Sequence, residues 1–343
     1  MKKGFISKIA LLLLMTVVVV SFAGCSKIDT MKRIQEKNVV IMGTNAEFPP
    51  FEYRNDKGEV EGFDVAMAQE IAKELGVALQ IEDMAFDSLL NALASGKIDF
   101  VAAGMTVKPD RLKNADFSIP YYKATQSIII KKDNDSIKSL EDLKGKKIGV
   151  QQGTTGDFMA TDDIEDTKVS RFKKAIDAVM DLKNGKVDAV IVDSNPAKIF
   201  VSKNDDIKLL ATQTIIVSKD NDSIKGKEDL KGQKIGVQQE TAGDSMATEV
   251  EAAEVSRFEK AADAVKALKD GKVDAVITDF DSAKNLVGGN DDVKLFNAEL
   301  TDEDYAVAVR KNDKEFLDAI NKAIKNMKDS GKYDELVKQY IEE

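Results

Sequence analysis

The run GFDVAMAQEIAKELGVALQIEDMAFDSLLNALASGKIDFVAAG, Gly62 to Gly104, alternates two hydrophobic periods, and that alternation decides the fold class. Val65, Ala68, Ile71, Ala72 and Leu75 recur at helical spacing, and Gly76 stands where a helix C-cap belongs. Val77 to Ile81 then reads as a strand, Phe86 to Gly96 as a second helix, and Ile98 to Ala103 as a short buried strand. Val39 to Met42 supplies an earlier strand. Tyr305 to Arg310 supplies a late one, followed by two helices with apolar positions Phe316, Ile320, Ala323, Ile324, Leu336 and Val337. Strands and helices in turn predict an α/β sheet with helices on both faces.

Downstream, FVAAGMTVKPDRLKNADFSIPYY (Phe100 to Tyr122) places a backbone carbonyl at Gly104, a hydroxyl at Thr106 and a guanidinium at Arg111 around one strand-to-helix turn. Those groups suit a zwitterion. An arginine fork matches a carboxylate through two parallel hydrogen bonds, which a lysine cannot do. From spacing alone Arg111 is equally a surface helix residue.

The middle of the chain repeats with an offset of 87. DNDSIKSLEDLKGKKIGVQQGTTGDFM (Asp133 to Met159) and DNDSIKGKEDLKGQKIGVQQETAGDSM (Asp220 to Met246) differ at six of 27 positions. After a one-residue deletion, Val169 to Asp193 lies over Val255 to Asp279 with six differences in 25. The period is too long for a solenoid, so each copy reads as a whole small lobe. In the second copy Lys227, Ser245, Lys266 and Asn285 replace Leu140, Phe158, Met180 and Ile199, and Glu240 and Ala242 replace Gly153 and Thr155. If those apolar sites face inward, each loss costs about 25 cal/mol per Å² of apolar area, and the first copy is the stronger fold.

The N-terminus carries Lys2, Lys3 and Lys8, an apolar run from Ile9 to Val20, and Phe22-Ala23-Gly24-Cys25. This predicts a signal peptide over residues 1–24, since the run falls short of the roughly 20 residues a bilayer-spanning helix needs. Cys25 is the only cysteine, so no internal disulfide can form. The net charge is −10 and the leader holds three lysines and no acids, which leaves −13 for the rest. Such a chain is a poor partner for nucleic acid. The absence of histidine removes Ser-His-Asp and Cys-His catalysis and HExxH zinc sites. No phosphate-binding GxxxxGK[ST] spacing is present, and nothing calls for a cofactor.

The stretches GTNAEFPPFEY (Gly43 to Tyr53), Gly62 to Gly76, Phe86 to Phe100, Phe100 to Tyr122, LKGKKIGVQQGTTGD (Leu143 to Asp157) and DSGKYDELVKQY (Asp329 to Tyr340) together resemble the family 3 extracytoplasmic solute-binding proteins of polar amino-acid ABC transporters. The resemblance implies a hinged clamp of the type II periplasmic-binding-protein-like fold, here with lobe 2 written twice. It implies lobe 1 from 38–123 plus 301–343, a first lobe 2 copy over 124–211, a second over 212–300, and a tether over 25–37. Cys25 resembles the lipid-accepting cysteine of a lipobox, although Phe22 departs from the usual Leu. It further implies a protein outside the cytoplasm, lipid-anchored to the cell membrane, with an ABC permease and an ATPase on separate chains.

By the same resemblance, the ligand's α-carboxylate would meet Arg111 and Thr106, and its ammonium the Gly104 carbonyl and Thr106. Gln151, Thr154 and Thr155, at a strand-to-helix junction, would add to the carboxylate site, and Asp193 would meet the ammonium. Phe48 and Phe86 would stack on the side chain, with Asn45 and Glu47 close by. An Asn at 45, where some relatives carry Asp, speaks against lysine or arginine as ligand, while Glu47 speaks for a cationic or amide side chain. In the second copy Thr241 and Asp279 are the alternates, and the changes at 240 and 242 favour the first copy as binding lobe. Two bland readings stay open. Asp193 has the position of a helix N-cap, and Phe48, Phe51 and Phe86 suit an aromatic core, Phe51 most of all. A cyclohexadienyl dehydratase-like enzyme on the same fold is the rival function, with Glu47 or Glu240 as its acid. A sensor or scaffold using the extra lobe is a third.

Overall fold

The computed structural model describes residues 29–342 apart from 211–212, 225, 289, 297–300 and 302. The signal peptide and Cys25 lie outside the described residues. Three five-stranded sheets organise the chain. In the first, Val39–Thr44 pairs in parallel with Ala78–Asp83 and with Phe100–Val101, and Ala308–Arg310 joins antiparallel between Phe100–Val101 and Ala115–Phe117. The long helix Lys314–Asp329 buries Phe316, Ile320, Ala323, Ile324 and Met327 on one stripe, as its period demands.

The other two sheets share one strand order. In the first repeat copy it runs Lys168–Phe172, Lys147–Gln151, Ala189–Asp193, Gln126–Lys131, Ile207–Leu209. In the second it runs Glu254–Phe258, Lys234–Gln238, Ala275–Asp279, Gln213–Ser218, Val293–Phe296. The registers agree as well, with Gln126 opposite Asp193 in one and Gln213 opposite Asp279 in the other. In each copy the last strand runs antiparallel to the first, so entry and exit lie at the same end.

That end is the hinge. Tyr122–Ala124 leads into the first copy, and Glu303–Tyr305 follows the second and pairs antiparallel with it. Lobe 1 and the first copy share one buried apolar cluster, reaching from Ile34 and Phe63 to Val192 and Phe200. The second copy's two clusters contain its own residues alone.

Several sequence expectations change. The return strand expected over 305–310 is two strands, because the chain leaves the hinge ladder at Tyr305 and enters lobe 1 at Ala308. The ladder expected over 98–103 covers only Phe100 and Val101 before the chain bends towards Gly104. Residues 26–37 do not form a tether throughout. Thr30–Lys37 is a helix capped by Asp29, and it buries Thr30 and Ile34 against lobe 1. Phe158 and Met180 are 38% and 48% exposed, so Ser245 and Lys266 remove no core there, and the area argument for a weaker second copy fails at those two sites.

Ile34→Ala should therefore lower the stability of lobe 1 by about 2–5 kcal/mol in denaturant melts, the cost of a buried large-to-small change. A tether residue would give no measurable change.

Candidate functional site

Ten of the eleven residues that the sequence places at the ligand line one narrow cleft, Glu47 being the exception. Lobe 1 contributes Asn45, Phe48, Phe86, Gly104, Thr106 and Arg111, and the first copy contributes Gln151, Thr154, Thr155 and Asp193. Most sit at or just beyond strand ends, where backbone groups leave the ladder and side chains converge. Glu52 and Ala103, not expected from the sequence, complete the lining.

Arg111 is a buried cleft residue, not a surface one. Its Nη1 donates to the Thr106 carbonyl at 2.7 Å and its Nη2 crosses the cleft to the Gly153 carbonyl at 2.9 Å. Its guanidinium carbon lies 5.3 Å from the centre of the Phe86 ring, within cation–π range. Burial lowers its pKa to about 10, with Asp193 and Glu303 pulling the other way, so it stays charged at neutral pH.

Gly104 holds φ +52, and a Cβ there would stand 2.9 Å from the Phe48 ring, so only glycine brings its backbone this close. Its N–H donates to Asp64, which also accepts from the Tyr121 hydroxyl at 2.7 Å. Both oxygens of Glu52, and the second oxygen of Asp64, are buried without an N–H or O–H donor among the described residues. Burial and the neighbouring Asp64 push the Glu52 carboxyl well above the usual range, and burial lifts Asp64 to about 6. A proton between the two facing carboxyls gives one oxygen of each a partner.

Asp193 begins the helix Ser194–Ser202 but makes no side-chain cap. Its carboxyl turns to the hinge, where it accepts from the Tyr305 hydroxyl and from Gln126. Burial, reinforced by Glu303, raises it to about 7. Glu303 accepts from Gln126 at 2.8 Å and from Thr106 at 2.5 Å, so strands from three parts of the chain meet around two carboxyls. Gln126 and Glu303 escaped the sequence reading because they are far apart in the chain.

Other expected residues are committed differently. The Thr154 hydroxyl donates to the Gln151 carbonyl at 2.8 Å and accepts from the Asp157 N–H, so it caps the short helix at Thr155. Thr155 donates to Thr106 at 3.3 Å across the cleft. Asn45 donates to the Met84 carbonyl and accepts from Gln151, both bonds bridging structural elements. Glu47 does not line the cleft. It pairs with Lys174 at 2.5 Å on the rim, a half-exposed link between the lobes. Phe51 is core, edge-on to Phe63 and Tyr305.

In the second copy the equivalent positions behave as ordinary structure. Asp279 caps its helix through the Ser282 N–H at 2.9 Å, the role that Asp193 does not take. Glu240 occupies φ +61 where the first copy has glycine, a left-handed conformation that is costly for a residue with a Cβ. Neither Thr241 nor Asp279 lines the cleft.

Residues 40–343 match the family of bacterial extracellular solute-binding proteins, family 3. The chain belongs to that family. Among curated family members, the arginine-binding extracellular protein ArtP of Bacillus subtilis (strain 168) is 38% identical over 174 residues, 50% of this chain and 68% of ArtP. The L-cystine-binding protein TcyJ of Escherichia coli (strain K12) is 32% identical over 202 residues, 58% of this chain and 76% of TcyJ. A crystal structure of a mutant of ArgBP from T. maritima superposes with a TM-score of 0.63 at 32% identity, covering 92% of this chain and 100% of that one. The type II periplasmic-binding-protein-like fold of the solute-binding family is thus the fold of this chain. No helix among the described residues is long and apolar enough to cross a membrane.

The raised Asp193 carboxyl sets a pH test. Its folded pKa of about 7 exceeds the ordinary value of 3.8, so the fold holds this proton more tightly than the unfolded chain does. Relative to Asp193→Asn, whose amide does not titrate, the ligand-free protein should lose stability between about pH 4 and pH 7 and hold steady above. The slope should reach at most about 1.4 kcal/mol per pH unit in melts across that range.

Proposed function

We propose that this chain is an extracellular receptor that closes on a free cationic L-amino acid, of the arginine class, between lobe 1 and the first repeat copy. The carrying observation is the charge inventory of the cleft: one fixed cation, Arg111, against two buried carboxyls, Glu52 and Asp193, whose burial favours the protonated form. A ligand with one carboxylate and two cationic groups completes that inventory. Its carboxylate pairs with Arg111, its α-ammonium with Asp193, and its side-chain cation with Glu52, between the faces of Phe48 and Phe86. Asn45 contributes structure to this arrangement, so the lack of an acid at 45 does not count against a cationic side chain. The names carried by ArtP and ArgBP agree with the assignment, whereas the cystine that TcyJ is named for brings a second carboxylate for which this inventory holds no cation.

Closure shifts the open-to-closed equilibrium by the ligand's differential affinity for the two states, and the closed form is what an ABC permease, with its ATPase on a separate chain, would receive. Cys25 would carry the lipid after removal of residues 1–24, with a shortened tether before the helix at Thr30. The enzyme alternative loses its two sequence candidates, since Glu47 is ion-paired on the rim and Glu240 lies in the second copy. Binding without turnover is the reading that gives Glu52 and Asp193 their partners.

In a thermal-shift screen, L-arginine and L-lysine should raise the melting temperature, and acidic amino acids should not. Glu52→Gln should weaken L-arginine binding about 10- to 150-fold, the span of one charge-assisted hydrogen bond, and should not weaken binding of uncharged amino acids. Asp193→Ala should abolish binding and Asp279→Ala should leave it intact. Prephenate and arogenate should pass unchanged, and their dehydration would restore the enzyme reading.

A further inference from the structure

The second copy keeps much of the surface with which the first grips lobe 1. Across the cleft the first copy uses Gln126 on Glu303, Asp193 on Tyr305, Gln151 on Asn45, the Gly153 carbonyl on Arg111, and Lys174 on Glu47. At the matching positions the second copy has Gln213, Asp279, Gln238, a backbone carbonyl at Glu240, and Lys260. Gln213 and Asp279 hold the same register as Gln126 and Asp193. The loop before Thr241 is built like its counterpart. Asp244 accepts from the Glu240 N–H at 3.1 Å and pairs with Arg257 at 2.9 Å, as Asp157 does with Gly153 and Arg171. Among the described residues, the apolar clusters of the second copy include nothing from lobe 1, and the side-chain oxygen of Gln213 lacks a donor just as that of Gln126 does.

The connections permit an exchange. Each copy begins and ends at its hinge end, and each owns one of the two hinge strands, the first copy following Tyr122–Ala124 and the second preceding Glu303–Tyr305. Either copy therefore lies one short connection from the cleft face of lobe 1.

We propose that the second copy docks on that face in exchange with the first, as a weaker closing lobe within the same chain. The differences make it weaker and ligand-poor. Ala242 lacks the hydroxyl with which Thr155 reaches Thr106, and Ser245 lacks the ring that Phe158 places 4.7 Å from the Lys108 ammonium. A Cβ at Gly153 would stand 3.4 Å from that of Asp87, so in the exchanged state Glu240 brings a carboxylate against Asp87 and beside Arg111. It would then compete with a ligand carboxylate for the one fixed cation. The second copy acts as a built-in competitor, and apparent ligand affinity falls by the fraction of chains it occupies. The ligand dependence rests on the function proposed above, whereas the exchange itself does not.

The test is proximity on the rim, in the full chain with Cys25→Ser. One variant carries Glu47→Cys with Lys174→Cys, the other Glu47→Cys with Lys260→Cys, and a short bismaleimide links whichever pair approaches. The first pair should link efficiently. The second should give a minor intramolecular product that falls severalfold with saturating L-arginine. No product from the second pair, or a product found only as a covalent dimer, overturns the proposal, the dimer placing the second copy on a neighbouring molecule instead. If L-arginine raises the melting temperature but leaves the second product unchanged, the copies do not compete and the proposal also fails. If L-arginine does not raise the melting temperature while the second pair links, the ligand assignment fails and the exchange stands.

Discussion

Lobe 1, the first copy and the return segment are held in one arrangement by two buried carboxyls at the hinge, Asp193 and Glu303, and by the few donors that reach them. Gln126 bonds to both, Tyr305 to Asp193, and Thr106 to Glu303. Isolated buried charges are expensive, and removing a partner from such a group costs more than the bond is worth in water. While the first copy is docked, this network fixes where the cleft residues stand. It also leaves Asp193 carrying a proton near neutrality.

The same network separates two nearly identical sequences. Asp193 and Asp279 end equivalent strands and begin equivalent helices, yet one faces the hinge and the other caps its own helix. The difference is set by what stands opposite. Where Tyr305 and Gln126 supply donors, the carboxyl turns to them. Where lobe 1 is absent, the Ser282 N–H is the best donor within reach. The role of a residue at this position is thus decided by tertiary context and not by its local sequence.

Much of the site was legible because its residues cluster in motifs at strand ends: Asn45 and Phe48 after the first strand, Gly104 to Arg111 after the third, Gln151 to Thr155 in the repeat. Period and turn chemistry locate such places, and the family resemblance assigns them to one cleft. Glu52, Gln126 and Glu303 were missed for a physical reason. Each acts through a partner distant in sequence, Glu303 through Thr106 and Gln126, and Glu52 through Asp64. A signal for Glu52 was present, since a lone acid between Phe51 and Tyr53 is unusual for a strand packed on aromatic rings. The tether was misread because Ile34 and Met31, two apolar residues scattered in a mostly polar stretch, find their pocket only once the helix Lys314–Asp329 is in place.

The central claim is that the cationic groups of the ligand take the place of protons on the buried carboxyls of the cleft. Calorimetric titration of L-arginine at pH 7, repeated in buffers of different ionisation enthalpy, measures the protons exchanged on binding. The account predicts net release of roughly half a proton or more, as Asp193, and with it the Glu52 and Asp64 pair, gives up what the ligand's cations replace. Binding with no proton release, or with uptake, would contradict it.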